Sequence, residues 1–224
     1  MSKKQEKDEK ENKLLFIAIG IIVLIFASFF VWKIFYNPEP TTLDDVYQET
    51  LEGDETEDNF MYNGYSFVKA QGLWYTKIQA GNSLYTIPFH YNPKEVEDIP
   101  MDDFVRDYLV DAYYDHNKTV YITFDPEDPS LGFVALANGE FSVNVAKTLG
   151  LNLIASCTND SIEVCKEVPT ITCDNTEEPV VFFDPNGETR VSATGNCLTI
   201  QGEGKELTRA VDRLLFNWYD ILEN

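Results

Sequence analysis

Residues 119–155 read TVYITF (119–124), DPEDPS (125–130), LGFVALANGEFSVNVAKTL (131–149), Gly150 and LNLIA (151–155). The first block is β-branched and aromatic, as a buried strand requires, and the second is built of turn formers. The third is long enough for a helix of several turns, which Gly150 can cap before a second strand begins. This order is a β-α-β unit, whose strands should run parallel with a right-handed crossover. Loops at the C-terminal ends of such strands are where α/β domains hold ligands. Asp125, Glu127 and Asp128 lie in one of them. Pro126 and Pro129 favour a plain turn there over a metal site, and no glycine-rich phosphate loop accompanies it.

Upstream, YSFVKA, LWYTKIQ and LYTIPFHY between Met61 and Pro93 alternate with a period of two. Gln71-Gly72 and Gly81-Asn82-Ser83 separate them, which predicts a three-strand antiparallel meander with an aromatic core face. Pro88 points to an edge strand. The period then changes. Asp102 can cap a helix to about Asp115 that buries Phe104, Val105, Tyr108, Leu109, Ala112 and Tyr113. Its other side carries Asp103, Asp107, Asp111 and Asp115 at successive i, i+4 positions. Such a row is a solvated face or, in its sharper reading, a strip for a cation or a basic partner.

Downstream come Cys157, Cys165, Cys173 and Cys197. Their intervals are too long for a zinc site, and an even count predicts two disulfides. Three connectivities exist; pairing Cys157 with Cys165 and Cys173 with Cys197 would close neighbouring loops. PVVFF (179–183) and 189–193 flank Asp184-Pro185-Asn186-Gly187, the turn of an expected hairpin. Residues 197–201 give another strand. The chain ends in an amphipathic helix over 205–222, with Arg209 and Arg213 on its polar side.

The N-terminal third is of a different kind. LLFIAIGIIVLIFASFFVW (14–32) holds no charged residue and predicts a transmembrane helix over 14–35. A cleaved signal peptide would have a shorter apolar region ending in a small-x-small site. Five lysines at 3, 4, 7, 10 and 13 precede the run and only Lys33 follows before Lys69. The positive-inside bias therefore keeps residues 1–13 in the cytoplasm and sends the rest outside. Residues 36–60 hold nine acids and no base, an acidic linker with room for a short helix around 44–51. The extracytoplasmic domain then spans 61–224. From Tyr36 onward 34 acids face 11 bases, a net −23, which excludes nucleic acid as a partner. The bilayer, through the anchor, and envelope or membrane proteins are the partners expected.

YNGYSFVKAQGLWYTKI (62–78), IPFHYNP (87–93) and NCLTIQGEGKELTRAVDRLLF (196–216) resemble uncharacterised single-pass membrane proteins of archaea. The resemblance carries no activity; it implies an archaeal cell envelope. Sequons at Asn117 and Asn159 suit that setting. No catalytic residue, cofactor or metal site is expected. His90 and His116 are the two histidines, and neither sits in a nucleophile-elbow sequence. The expectation is an α/β (α+β) chain: a transmembrane helix, a three-strand meander, a β-α-β unit, a disulfide-linked β region and a C-terminal helix. It would act as a membrane-anchored extracytoplasmic binding module. An envelope hydrolase of the glycoside type using two carboxylates is the alternative, and a single-pass sensor subunit is a third. A closed acid pair of raised pKa in an aromatic cleft would favour the enzyme.

Overall fold

The computed structural model describes residues 3–36, 42–114 and 116–223, with side chains described only over 16–32 of the first stretch. The chain divides into two units, Met1–Asp45 and Val46–Asn224. The first contains α1 (Lys3–Tyr36), a single helix over the apolar run. All its described side chains are exposed. Among the described residues no helix is long and apolar enough to cross a membrane. Over 16–32 the helix rises only about 25 Å, against about 30 Å of hydrocarbon. The expected span of 14–35 thus extends at both ends beyond the described side chains.

The expected linker is partly helical. Thr42 Oγ1 donates to the Asp45 carboxylate at 2.7 Å and accepts from Asp45 N at 3.2 Å, a reciprocal cap that starts α2 (Leu43–Glu52). Within the second unit Tyr47 and Thr50 are buried. The Tyr47 hydroxyl accepts from Lys77 N at 3.1 Å, and Thr50 Oγ1 accepts from Asn59 Nδ2 at 2.8 Å. Two buried anchors are what an acidic tether was expected to lack. Residues 37–41 lie outside the described residues.

The first sheet is an antiparallel meander of β1 (Asn59–Tyr62), β2 (Tyr65–Ala70), β3 (Leu73–Ala80) and β4 (Ser83–Phe89), in that order. It has one strand more than expected. Asn63 and Gly64, at φ 46° and 85°, form a two-residue turn whose positive dihedrals match strand twist, so Met61 and Tyr62 pair back onto β2. Pro88 stands on the edge strand β4, as its missing N–H requires.

After α3 (Val105–Tyr114) the β-α-β unit follows as read: β5 (Thr119–Phe124), α4 (Leu131–Thr148) and β6 (Asn152–Ala155), with β5 and β6 parallel neighbours. β7 (Val180–Asp184), β8 (Arg190–Thr194) and β9 (Cys197–Gln201) complete a second sheet of order β6-β5-β7-β9-β8. The expected hairpin between β7 and β8 does not form. β9 inserts between them, parallel to β7 and antiparallel to β8. Val180, Val181 and Phe183 are fully buried and so claim a central strand, whereas β8, exposed at both ends, takes the edge.

Alternation along these strands separates two faces. Val120, Ile122, Val181, Phe183, Leu198 and Ile200 join the main core with α3, α4 and α5 (Glu206–Trp218). Thr123 and Cys197 face the other way, where Thr123 Oγ1 donates to the Ile171 carbonyl and Cys197 bonds to Cys173. The second disulfide joins Cys157 to Cys165, so both pairings are those expected and no cysteine is free.

The final helix departs from its expected amphipathic form. Every residue of α5 from Leu207 to Trp218 is buried except Arg209. The reason is position: its Phe216 ring meets Phe67 and Phe89 of the first sheet at 5.7 and 4.5 Å, and its other side packs on β8 and β9. Of the two expected surface arginines, Arg209 pairs with Glu206 and Asp98, while Arg213 is buried and donates to the Glu223 carbonyl. Gly202 makes the approach of α5 to β9 feasible, since a Cβ there would lie 2.8 Å from the Glu206 carbonyl carbon. Gly202→Ala is expected to destabilise the fold by about 1–3 kcal/mol, read in urea titration.

Candidate functional site

The end of β4, the middle of α4 and the middle of α5 bring His90, Glu140 and Asp212 together. Glu140 accepts from His90 N at 3.0 Å and holds His90 Nδ1 at 2.6 Å. Asp212 Oδ2 accepts from Tyr91 N at 2.8 Å. Its Oδ1 has no donor, yet the Glu140 carboxylate lies against it. Two carboxylates meeting inside a core require a proton between them. Burial first, and the Glu140 charge second, raise Asp212 well above its ordinary range, which favours its protonated form. The Glu140 hydrogen bond likewise raises the His90 pKa above 6.5, against the opposing effect of burial. Exposure falls along the chain of three: the side chains of His90 and Glu140 are 36% and 5% exposed, and Asp212 is sealed off entirely.

His90 is therefore oriented by Glu140, with its ring partly exposed. It stands between two recesses. One, of about 280 Å³, is a groove between α4 and the first sheet lined by Leu73, Pro88, Ala135, Leu136, Gly139 and Val143, with Glu140 and Asn144 in its wall. The other, of about 160 Å³, is formed by Tyr91, Lys205 and Thr208 and shares His90 and Leu136 with the first.

The sign of the pH dependence follows. Both groups have folded pKa values above their unfolded ones, 3.8 for Asp212 and 6.5 for His90. Their contribution is complete below those values and is lost as pH rises through the folded pKa. Melting temperature should fall from pH 6 to pH 9. Asp212→Asn keeps the acceptor for Tyr91 N and supplies a permanent donor to Glu140. Its melting temperature should gain on that of the parent as pH rises from 5 to 9. Equal destabilisation at both pH values would mean that Asp212 is ionised.

The aspartate strip is only partly assembled. α3 begins at Val105, so Asp103 lies off the helix; Asp107 is exposed, and Asp115 lies outside the described residues. Asp111 is 3.4 Å from His116 Nε2, whose Nδ1 is 3.0 Å from Glu178. The apolar side also differs from expectation. Val105, Tyr108 and Ala112 are buried, but Phe104 is 67% exposed, and Val110 and Tyr114 are also exposed. A concavity of about 510 Å³ runs between Phe104, Asp107, Tyr108, Asp111 and the β8–β9 turn at 193–195. The 125–130 loop is a turn: Asp125 and Asp128 accept from the N–H groups of Glu127 and Ser130, and Asn186 Nδ2 donates to Asp128. Among the described residues no group of three or more His, Cys, Asp or Glu is placed to hold a metal ion.

The carboxylate pair anticipated for a hydrolase exists in Glu140 and Asp212, but in direct contact within the core. Glycoside chemistry needs its two carboxyl groups about 5–9.5 Å apart across a sugar. None of the three residues was foreseen as a site, because they lie 50–122 positions apart in the chain. One signal was legible: Leu215 and Phe216 stand at i+3 and i+4 from Asp212, so the aspartate shares its side of the helix with large apolar residues.

Fold and site define a mixed α/β chain with, among the described residues, two sheets, five α-helices and two disulfides. No protein-family model, curated protein or solved structure matches it.

Proposed function

We propose that the chain is a membrane-anchored interaction module of the cell envelope, with its anchor over 14–35 and the Val46–Asn224 unit outside the cytoplasm. The observation that carries the binding role is the α3 surface, where exposed Phe104 stands with Asp107 and Asp111 beside a concavity and Val110 and Tyr114 are exposed on the same helix. Exposed aromatics grouped in this way mark interaction sites. The carboxylates select a partner with Lys or Arg beside an apolar patch. The anchor is supported by the charge-free run of 14–32, its helical conformation and its uniformly exposed described side chains. The disulfides favour an oxidising exterior. The resemblance to archaeal single-pass proteins makes an archaeal envelope the setting.

Protease added to intact cells should remove the C-terminal unit; complete protection overturns the topology. Carbodiimide crosslinking in the same cells should capture a basic envelope protein. Phe104→Ala with Asp107→Asn and Asp111→Asn should cut that capture at least tenfold, by the size of one hot spot. Undiminished capture moves the partner surface elsewhere.

A further inference from the structure

We infer that the groove beside α4 is a binding site for a long-chain carboxylate, with hydrocarbon against Leu136, Gly139 and Val143 and the head group at His90, Lys205 and Thr208. This site is separate from the α3 surface and does not depend on it. Three observations carry the inference. First, α4 is apolar on both sides: Val134, Ala137, Phe141 and Val145 fill the core, while Phe133, Leu136 and Val143 remain exposed opposite them. Apolar side chains left exposed on the outer side of a core helix offer a place for a second covering layer. Second, the groove ends at a cationic spot in a strongly acidic domain. His90 and Lys205 line the adjoining recess, and the Glu140 carboxylate, which lines the groove, is engaged by His90 N and Nδ1. Third, Thr208 is 1% exposed, lines that recess, and its Oγ1 has no partner. A carboxylate there would accept from His90 Nε2, Lys205 Nζ and Thr208 Oγ1, which fits the donors present and leaves none orphaned.

The groove is a poorer host for a peptide. Every amide of a bound peptide needs a partner, and the walls are mostly Leu, Ala, Gly, Val and Pro side chains, with side-chain acceptors at Asn144 and at Glu140, which His90 already engages. Pro88 has no N–H with which β4 could extend its sheet onto a visiting strand. Hydrocarbon makes no such demand.

The test uses the full chain in phospholipid nanodiscs, or in buffer if it does not enter them, with an alkyl-diazirine palmitate as probe. Photolabelling should fall on peptides covering 131–147 and 73–90 and should be competed by palmitate but not by hexadecanol or a hexadecyl ammonium. His90→Gln and the surface change Lys205→Gln should each reduce labelling about tenfold, the loss of one charge-assisted contact, with an unchanged melting temperature for Lys205→Gln. Leu136→Asp should abolish it. Label confined to 14–32, or equal competition by hexadecanol, overturns the proposal, as does displacement by an apolar peptide but not by palmitate.

Discussion

Phe216→Ala is expected to lower the unfolding free energy by about 3–5 kcal/mol, the usual cost of emptying a sealed aromatic site. The ring is fully buried and is touched by Phe67 and Phe89 of one sheet, while its helix rests on β8 and β9 of the other. The cavity would open where the two halves of the core meet, so neither side can collapse onto it alone. Against a typical total of about 5–15 kcal/mol this is a large fraction. Urea titration followed by the fluorescence of Trp74 and Trp218, both buried, would read the change. Phe133→Ala, at an exposed ring, should stay within about 0.5 kcal/mol and serves as control. A Phe216→Ala loss below about 1 kcal/mol would show that α5 is not the shared core element.

Removing the Cys173–Cys197 bridge by double Ser substitution should cost about 3.5 kcal/mol. It closes 24 residues, and the entropy of a loop that size sets the figure. The bridge also secures residue 173 to the start of β9 in the centre of the sheet, opposite Val180. Loss of Cys157–Cys165, separated by 8 residues, should cost about 2.5 kcal/mol by the same reasoning. Urea midpoints of the two double mutants give the comparison. A larger loss at the shorter loop would show that strain or denatured-state structure, and not loop entropy, dominates. Alkylation of the unreduced chain should find no free thiol.

The elements that could be read from local pattern were read correctly where one face was buried and the other wet. The period-two aromatic segments, the β-α-β order and the short loop-closing cysteine pairs all have signals within a few residues. The misread elements share a different cause. β7 carries an Asn-Gly turn after it, so a hairpin was expected, but the partner of a central strand is chosen by the hydrophobicity of distant strands, and β9 won that place. Phe104 fits a helical stripe, yet α3 starts one residue later and leaves it outside.

By itself the sequence determined the separation of an apolar N-terminal helix from an acidic α/β domain, because charge and hydropathy act over a few turns of chain. It also determined the strand-helix-strand order, and its cysteine count predicted two disulfides, of whose three possible pairings the fold shows one. Only the tertiary structure decided that α5 lies between two sheets and so buries Asp212 and Arg213. That burial raises the Asp212 pKa beside Glu140, whose carboxylate fixes His90 at the edge of an apolar groove. Such a site is created by desolvation, and desolvation belongs to the assembled fold and not to any stretch of residues.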